Sequence, residues 1–292
     1  MSATAASVEA QAKLNLRLAV LAREASGYHQ LESLFIRIEL ADTVRVATDT
    51  KTRSLECAGL DLPAEQNLAY RAAARFADAA QWPTGFHIEI EKRIPAGGGL
   101  GGGSADAGAV LRALNALAPR PLAAAELMTL ALQLGADVPF LTADAPLALA
   151  WGRGERLLAL PPLPAREVLL ALPPFGVETA AAFRWFAEAH AGAPLAAPAP
   201  LHLSDVDRWD HVMRLAANDL EAVVFARHPE IHACVAQFQA AGARIARMSG
   251  SGSTAFGVFD RRHQADAAAF PAGTRLVQTR TATSVPAVRL LD

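Results

Sequence analysis

The stretch IPAGGGLGGGSADAG, Ile94 to Gly108, holds six glycines within seven residues and stands between two segments of unlike periodicity. Before it, GFHIEIEKRIP alternates, with Phe86, Ile88 and Ile90 facing one way and His87, Glu89 and Glu91 the other, as in a half-exposed antiparallel strand. After it, Ala107, Val110, Leu111, Leu114 and Leu117 recur at helical spacing. Glycines let a backbone turn left-handed and bring N–H groups close to a ligand without Cβ interference. A helix starting near Ser104 points its free N–H groups and positive dipole end back at the loop. Strand, glycine loop and helix together make an anion site suited to phosphate, where a flexible linker would be the bland alternative.

Two familiar phosphate loops fit poorly. The Walker pattern needs a lysine, yet Gly103 is followed by Ser104 and Ala105. Gly97, Gly99 and Gly102 satisfy G-x-G-x-x-G, but the preceding strand alternates with charge, whereas a central parallel strand is nearly all apolar. The acidic residue expected downstream of a dinucleotide loop is also missing, since Glu126 lies inside a helix pattern.

The 292 residues suffice for two domains with proper cores, and we expect two α+β domains without internal repeats. A net charge of -2 offers no field to gather nucleic acid or an anionic membrane. Two distant cysteines, Cys57 and Cys234, suggest neither disulfides nor a zinc cluster, and imply a reducing cytoplasm. MSATAASVEAQAK has no basic start or apolar run, so residues 1–10 read as a loose tail rather than a signal peptide, and no segment reads as a membrane span. Strands are expected in LNLRLAVLA, LFIRIELADTVRVAT and the hairpin APLALAWGRGERLLAL, and helices in NLAYRAAARFADAA and LAAAELMTLALQLGAD. From Pro161 the composition turns Pro- and Ala-rich, which sets a boundary between residues 1–160 and 161–292. Beyond it we expect strands EVLLALPP, RIARMSG, TAFGVFD and TRLVQTRTAT, and helices around NDLEAVVF and HACVAQFQAAGA.

PAGGGLGGGSADAG resembles the Pro-x-x-x-Gly-Leu-Gly-x-Gly-Ser loop of the GHMP kinases, the superfamily of galactokinase, homoserine kinase, mevalonate kinase and phosphomevalonate kinase. KLNL at Lys13 to Leu16 and MSGSGSTAFG at Met248 to Gly257 follow the family's order, and Gly99 occupies a free position of its pattern. With ASGYHQLESLF and LGADVPFL, the likeness narrows to the branch whose acceptor is 4-diphosphocytidyl-2-C-methyl-D-erythritol, on the non-mevalonate route to isoprenoid precursors. The resemblance implies an amino-terminal ribosomal-protein-S5-like domain and a carboxyl-terminal ferredoxin-like α/β domain, with the active site in the cleft between them.

It also implies roles. ATP phosphates fall to Pro95, Ala96, Gly97, Gly98, Gly99, Leu100, Gly101, Gly102, Gly103, Ser104 and Ala105, and the adenosine to Asn67 and Lys92. Ser104 could bind a phosphate oxygen or Mg²⁺, which is assumed with ATP, or serve as a helix N-cap. Asp106 is read as favouring the helix dipole, not as a metal ligand. Asp137 is the family's general base and Lys13 its partner, an ammonium that stabilises charge on the acceptor oxygen. Without the resemblance, Asp137 would be a turn residue and Lys13 a solvated lysine. Asn15 shares Lys13's strand face and could hold the acceptor. Tyr28 and His29 match the cytidine-gripping positions, Phe183 is the second stacking partner, and Thr179 contacts the diphosphocytidyl part. Ser249, Gly250, Ser251 and Gly252 form a second glycine-serine turn that closes the site from the opposite wall.

Rival readings are a homoserine- or mevalonate-type kinase, an inactive ligand-binding relative and a nucleotide-dependent oxidoreductase. His228, His232 and Cys234 raise the question of zinc, but Pro229 opens a helix that leaves His228 outside it.

Overall fold

A computed structural model describes residues 3–23, 29–59, 63–152, 154, 156–191 and 201–291. The chain runs β1 (Ala5–Arg23), β2 (His29–Ala47), β3 (Arg53–Cys57), α1 (Leu68–Ala80), β4 (Phe86–Glu91), α2 (Gly102–Leu117), α3 (Ala124–Leu132), α4 (Val138–Thr142), β5 (Leu147–Gly152) and β6 (Arg156–Leu160). It continues with β7 (Glu167–Leu172), α5 (Thr179–Ala189), α6 (Trp209–Leu215), β8 (Ala217–Asn218), α7 (Glu221–Phe225), α8 (Pro229–Ala240), β9 (Ile245–Met248), β10 (Ala255–Phe259), β11 (Arg275–Arg280) and β12 (Arg289–Leu291).

Two sheets organise the described residues. The first follows the order β12-β1-β2-β4-β3, with β5 and β6 branching from β2 and β8 lying beside β1. The second has the order β11-β7-β10-β9. Helices α1 and α2 cover the first sheet, burying Phe76, Val110, Leu111 and Leu114 against Leu14, Leu16 and Ile88. Large apolar side chains contribute roughly 1.5–3 kcal/mol each when fully buried, so this layer stabilises the packing of the helices on the sheet. Cys234, Val235 and Phe238 of α8 and Ala182 and Phe186 of α5 pack on the second sheet through Ala171, Met248 and Phe259. Among the described residues, no helix is long and apolar enough to cross a membrane.

The α+β architecture agrees with the sequence reading, and three particulars correct it. Residues 5–10 are not a loose tail. Ala5 pairs with both Ala47 and Leu291, and Ala6, Val8 and Ala10 are buried. The half-exposed alternation holds in β4, but β1 is buried on both faces: Ala12, Leu14 and Leu16 on one, Gln11, Lys13 and Asn15 on the other. Finally, β3, β8 and β12 had no legible signal, because β3 is a largely exposed edge and β8 and β12 span two and three residues. Pro229 does open α8, with His228 at its cap.

Candidate active site

The strand β1 delivers Lys13 and Asn15 to one face, and its pairing with β2 shifts register between Gln11 and Lys13 and again between Asn15 and Arg17. Such irregularities re-aim side chains and recur beside active sites. Lys13 is 3% exposed, so its ammonium depends on partners: Nζ donates to Asn15 Oδ1 at 2.7 Å and lies 3.4 Å from Asp137 Oδ2. Asn15 passes the chain on to Ser33 Oγ at 2.7 Å, and that hydroxyl donates to Arg17 O at 2.9 Å.

Asp137 sits at the N-cap position of α4, where a carboxylate normally accepts a backbone N–H. Here it makes no such bond, and the second helical residue, Pro139, has no N–H to give. The carboxylate therefore stays available to Lys13 and to the cavity it borders. Arg37 steadies the other end of α4. It is 1% exposed and donates to the carbonyls of Phe140, Ala143 and Ala145 at 2.8–3.1 Å. Burial first, and then Arg112, push its guanidinium down to about 9. A stack links the two cations: Lys13 Nζ lies 5.5 Å from the Phe35 ring, Phe35 stacks on Phe140 at 5.1 Å, and Arg37 lies 5.1 Å from Phe140.

Opposite Lys13 stands the glycine loop. Gly101 has φ of +72°, and a Cβ there would meet Lys13 Cγ at 3.1 Å. Gly99 has φ of +77°, and a Cβ there would lie 2.2 Å from Ser249 O. Both positions thus demand glycine twice over, for backbone hand and for space. The loop is stitched to its surroundings by Lys13 N donating to Leu100 O, Ser249 Oγ to Gly99 O and Thr254 N to Gly98 O. Helix α2 starts at Gly102, with Gly101 as N-cap, so Ser104 is not the cap the sequence allowed for.

At the far end, Lys92 Nζ lies 2.5 Å from Asp42 Oδ2 and 2.7 Å from Asp106 Oδ2. Asp42 also accepts the N–H groups of Arg93 and Ile94, which fixes the entry to the loop. Burial alone would lower the Lys92 ammonium, but the two carboxylates outweigh it and hold it above the ordinary lysine value. Burial pushes the Asp106 carboxyl up to about 7, with Lys92 opposing and Asp42 reinforcing the shift. Asp106 stands beyond the first turn of α2, so the helix dipole does not account for it; it is 3% exposed and bound to Lys92, with its Oδ1 unpartnered.

One cavity of about 700 Å³ joins these parts. Lys13, Asn15, Asp137, Asn67, Lys92, Thr179, Phe183, residues 95–104 and Gly250, Ser251 and Gly252 all border it. Two expected residues face elsewhere: Ala105 is 1% exposed behind the loop, and Ser249 spends its hydroxyl on Gly99. Asn67 caps α1 by accepting from Ala69 N at 2.9 Å. Thr179 Oγ1 and Ser251 Oγ lie 3.0 Å apart. Tyr28 and the side chain of His29 lie outside the described residues. Sequence reasoning missed Ser33, Phe35 and Val177, which also border the cavity. Only Ser33 and Phe35 carried a signal, since β2 puts them on one face at period two. His228 and His232, weighed above for zinc, stack on Phe175 and Phe225.

The chain matches the family models for the GHMP kinases N terminal domain over residues 67–145 and the GHMP kinases C terminal over residues 199–274. It is 42% identical over 253 residues to 4-diphosphocytidyl-2-C-methyl-D-erythritol kinase of Moorella thermoacetica, covering 85% of this chain and 88% of that one. The chain belongs to this kinase family. The Paracoccus denitrificans kinase of that name is 42% identical over 262 residues, covering 89% of each chain. A crystal structure of 4-(cytidine 5'-diphospho)-2C-methyl-D-erythritol kinase superposes with a TM-score of 0.75 at 35% identity, over 94% of this chain and 98% of that one. Homoserine kinase from Cytophaga hutchinsonii shares the fold, with a TM-score of 0.67 at 16% identity over 99% and 98% of the two chains.

Proposed function

We propose that the protein transfers the γ-phosphoryl group of ATP to the 2-hydroxyl of 4-diphosphocytidyl-2-C-methyl-D-erythritol, in the non-mevalonate route to isoprenoid precursors. The observation that carries this reading is the Lys13–Asp137 pair facing the glycine loop across a single cavity. Phosphoryl transfer asks a protein mainly for positioning and charge stabilisation, and both walls supply them.

In this mechanism the loop from Pro95 to Ser104 wraps the triphosphate, with Asn67 and Lys92 toward the adenosine. Magnesium enters as part of the nucleotide substrate. The acceptor oxygen attacks the γ-phosphorus while its proton passes to the Asp137 carboxylate. The new O–P bond forms as the bond to the β-phosphate oxygen breaks, and ADP leaves. Lys13, held by Asn15, stabilises the charge that develops on the attacking oxygen. Tyr28, His29 and Phe183 grip the cytidine, and Thr179 and Ser251, already in contact, meet the diphosphate. Residues 1–160 form the ATP-binding lobe and 161–292 the acceptor lobe. Both substrates are water-soluble anions, which suits the cytoplasmic setting read from the sequence.

The test is ADP release from Mg-ATP with the cytidyl alcohol, homoserine and mevalonate in parallel. Turnover with the cytidyl acceptor alone is expected. Turnover with another acceptor overturns the specificity, and ATP binding without turnover on any of the three favours the inactive relative.

A further inference from the structure

The second glycine turn, between β9 and β10, is held from the first sheet. Strand β8 is two residues long, yet it pairs in parallel with Arg17 and Leu18, just beyond Asn15 on β1. Its second residue, Asn218, is 6% exposed. The Asn218 Nδ2 donates to Met248 O at 2.9 Å and to Gly250 O at 2.8 Å, while Oδ1 accepts from Leu220 N at 3.0 Å. Both amide hydrogens are thereby spent on the turn. Glu221 secures the same root, accepting from Met248 N at 2.8 Å.

The direction of these bonds has a chemical meaning. The cis peptides of the described residues are Trp82–Pro83 and Gly252–Ser253, so the Gly250–Ser251 peptide is trans. A trans peptide sets its C=O and N–H on opposite sides. Tying Gly250 O to Asn218 therefore turns the Ser251 N–H away from Asn218, on a turn whose residues 250–252 border the cavity. That turn runs beside the catalytic ammonium, since a Cβ on Gly250 would lie 3.4 Å from Lys13 Nζ and from Asn15 Oδ1.

We propose that Asn218 is a positioning residue for phosphoryl transfer. By holding the carbonyls of Met248 and Gly250, it presents the Ser251 N–H to the phosphoryl group in flight between ATP and the acceptor. The inference rests on the kinase reading above. Asn218 touches neither substrate; its effect passes through one peptide plane, which adds a donor that needs no reorganisation during transfer.

The experiment compares wild-type protein with Asn218→Ala and Asn218→Ser in steady-state ADP release, thermal melting and inhibition by Mg-ADP with aluminium fluoride, a mimic of the phosphoryl group in flight. A donor displaced by about 1 Å costs on the order of 10²-fold in rate. We expect kcat of Asn218→Ala to fall by about that factor, the KM for ATP to stay within about threefold, aluminium fluoride inhibition to weaken in step with kcat, and Asn218→Ser to retain an intermediate rate. Unchanged kcat, or unchanged aluminium fluoride inhibition despite lower kcat, overturns the proposal. So does failure of both variants to fold, which would make the residue structural only. A wild-type protein inactive on the cytidyl acceptor would instead refute the kinase reading, before any variant is compared.

Discussion

Lys13 and Asp137 meet at 3.4 Å although one is buried at 3% exposure and the other opens to the cavity at 30%. The asymmetry divides the labour between them. The ammonium is fixed by Asn15 and by the ring of Phe35, while the carboxylate keeps an edge open to the cavity.

Asp137→Asn keeps the shape of that edge and removes its basicity. General-base catalysis contributes about 10²–10⁴-fold, so kcat should fall by that order while ATP affinity stays close to wild type. Steady-state ADP release and calorimetric ATP binding check both halves, and turnover at near wild-type rate would remove Asp137 from the role of base.

Gly99→Ala would place a methyl group 2.2 Å from Ser249 O, at a φ of +77°. The left-handed conformation costs about 1–2 kcal/mol for a residue with a Cβ, and the overlap adds about 1–3 kcal/mol of strain. The variant should melt several degrees lower and show a raised KM for ATP, because the two glycine turns must part. A fully stable variant with wild-type ATP affinity would show that the turns do not depend on this contact.

Arg37→Met should destabilise the protein by at least about 3 kcal/mol, since three carbonyls in and just after α4 lose buried donors, each worth about 1–3 kcal/mol. Urea denaturation measures the loss. Because Asp137 is the N-cap of α4, kcat should drop too, in contrast to a purely structural lesion remote from the site.

Asp106 makes the stability of the unliganded protein depend on pH. Burial holds its carboxyl near 7 in the fold, against 3.8 when unfolded. The folded state therefore binds the extra proton between these values, and stability falls as pH rises from about 4 through about 7. Asp106→Asn should flatten that decline. Melting temperatures of both proteins at pH 5, 6 and 7.5 decide it; identical slopes would mean that Asp106 does not carry the proton.

The sequence by itself determined the chemistry and most of the local structure. Alternation defined β4, helical spacing defined α1 and α2, and the glycine loop between them could serve little besides a phosphate. Each of these is written in neighbouring residues, which is where period and backbone freedom act. The tertiary structure decided which charges are buried and whom they meet. Lys13 reads as a solvated strand residue until the glycine loop and α4 cover it, and Asp106 as a helix-dipole charge until Lys92 and Asp42 close on it. Asn218 carried no signal at all, because its partners Met248 and Gly250 stand 30 and 32 residues further along the chain. Hydrogen bonds and desolvation depend on groups brought together across long loops, and no local period in the chain records that meeting.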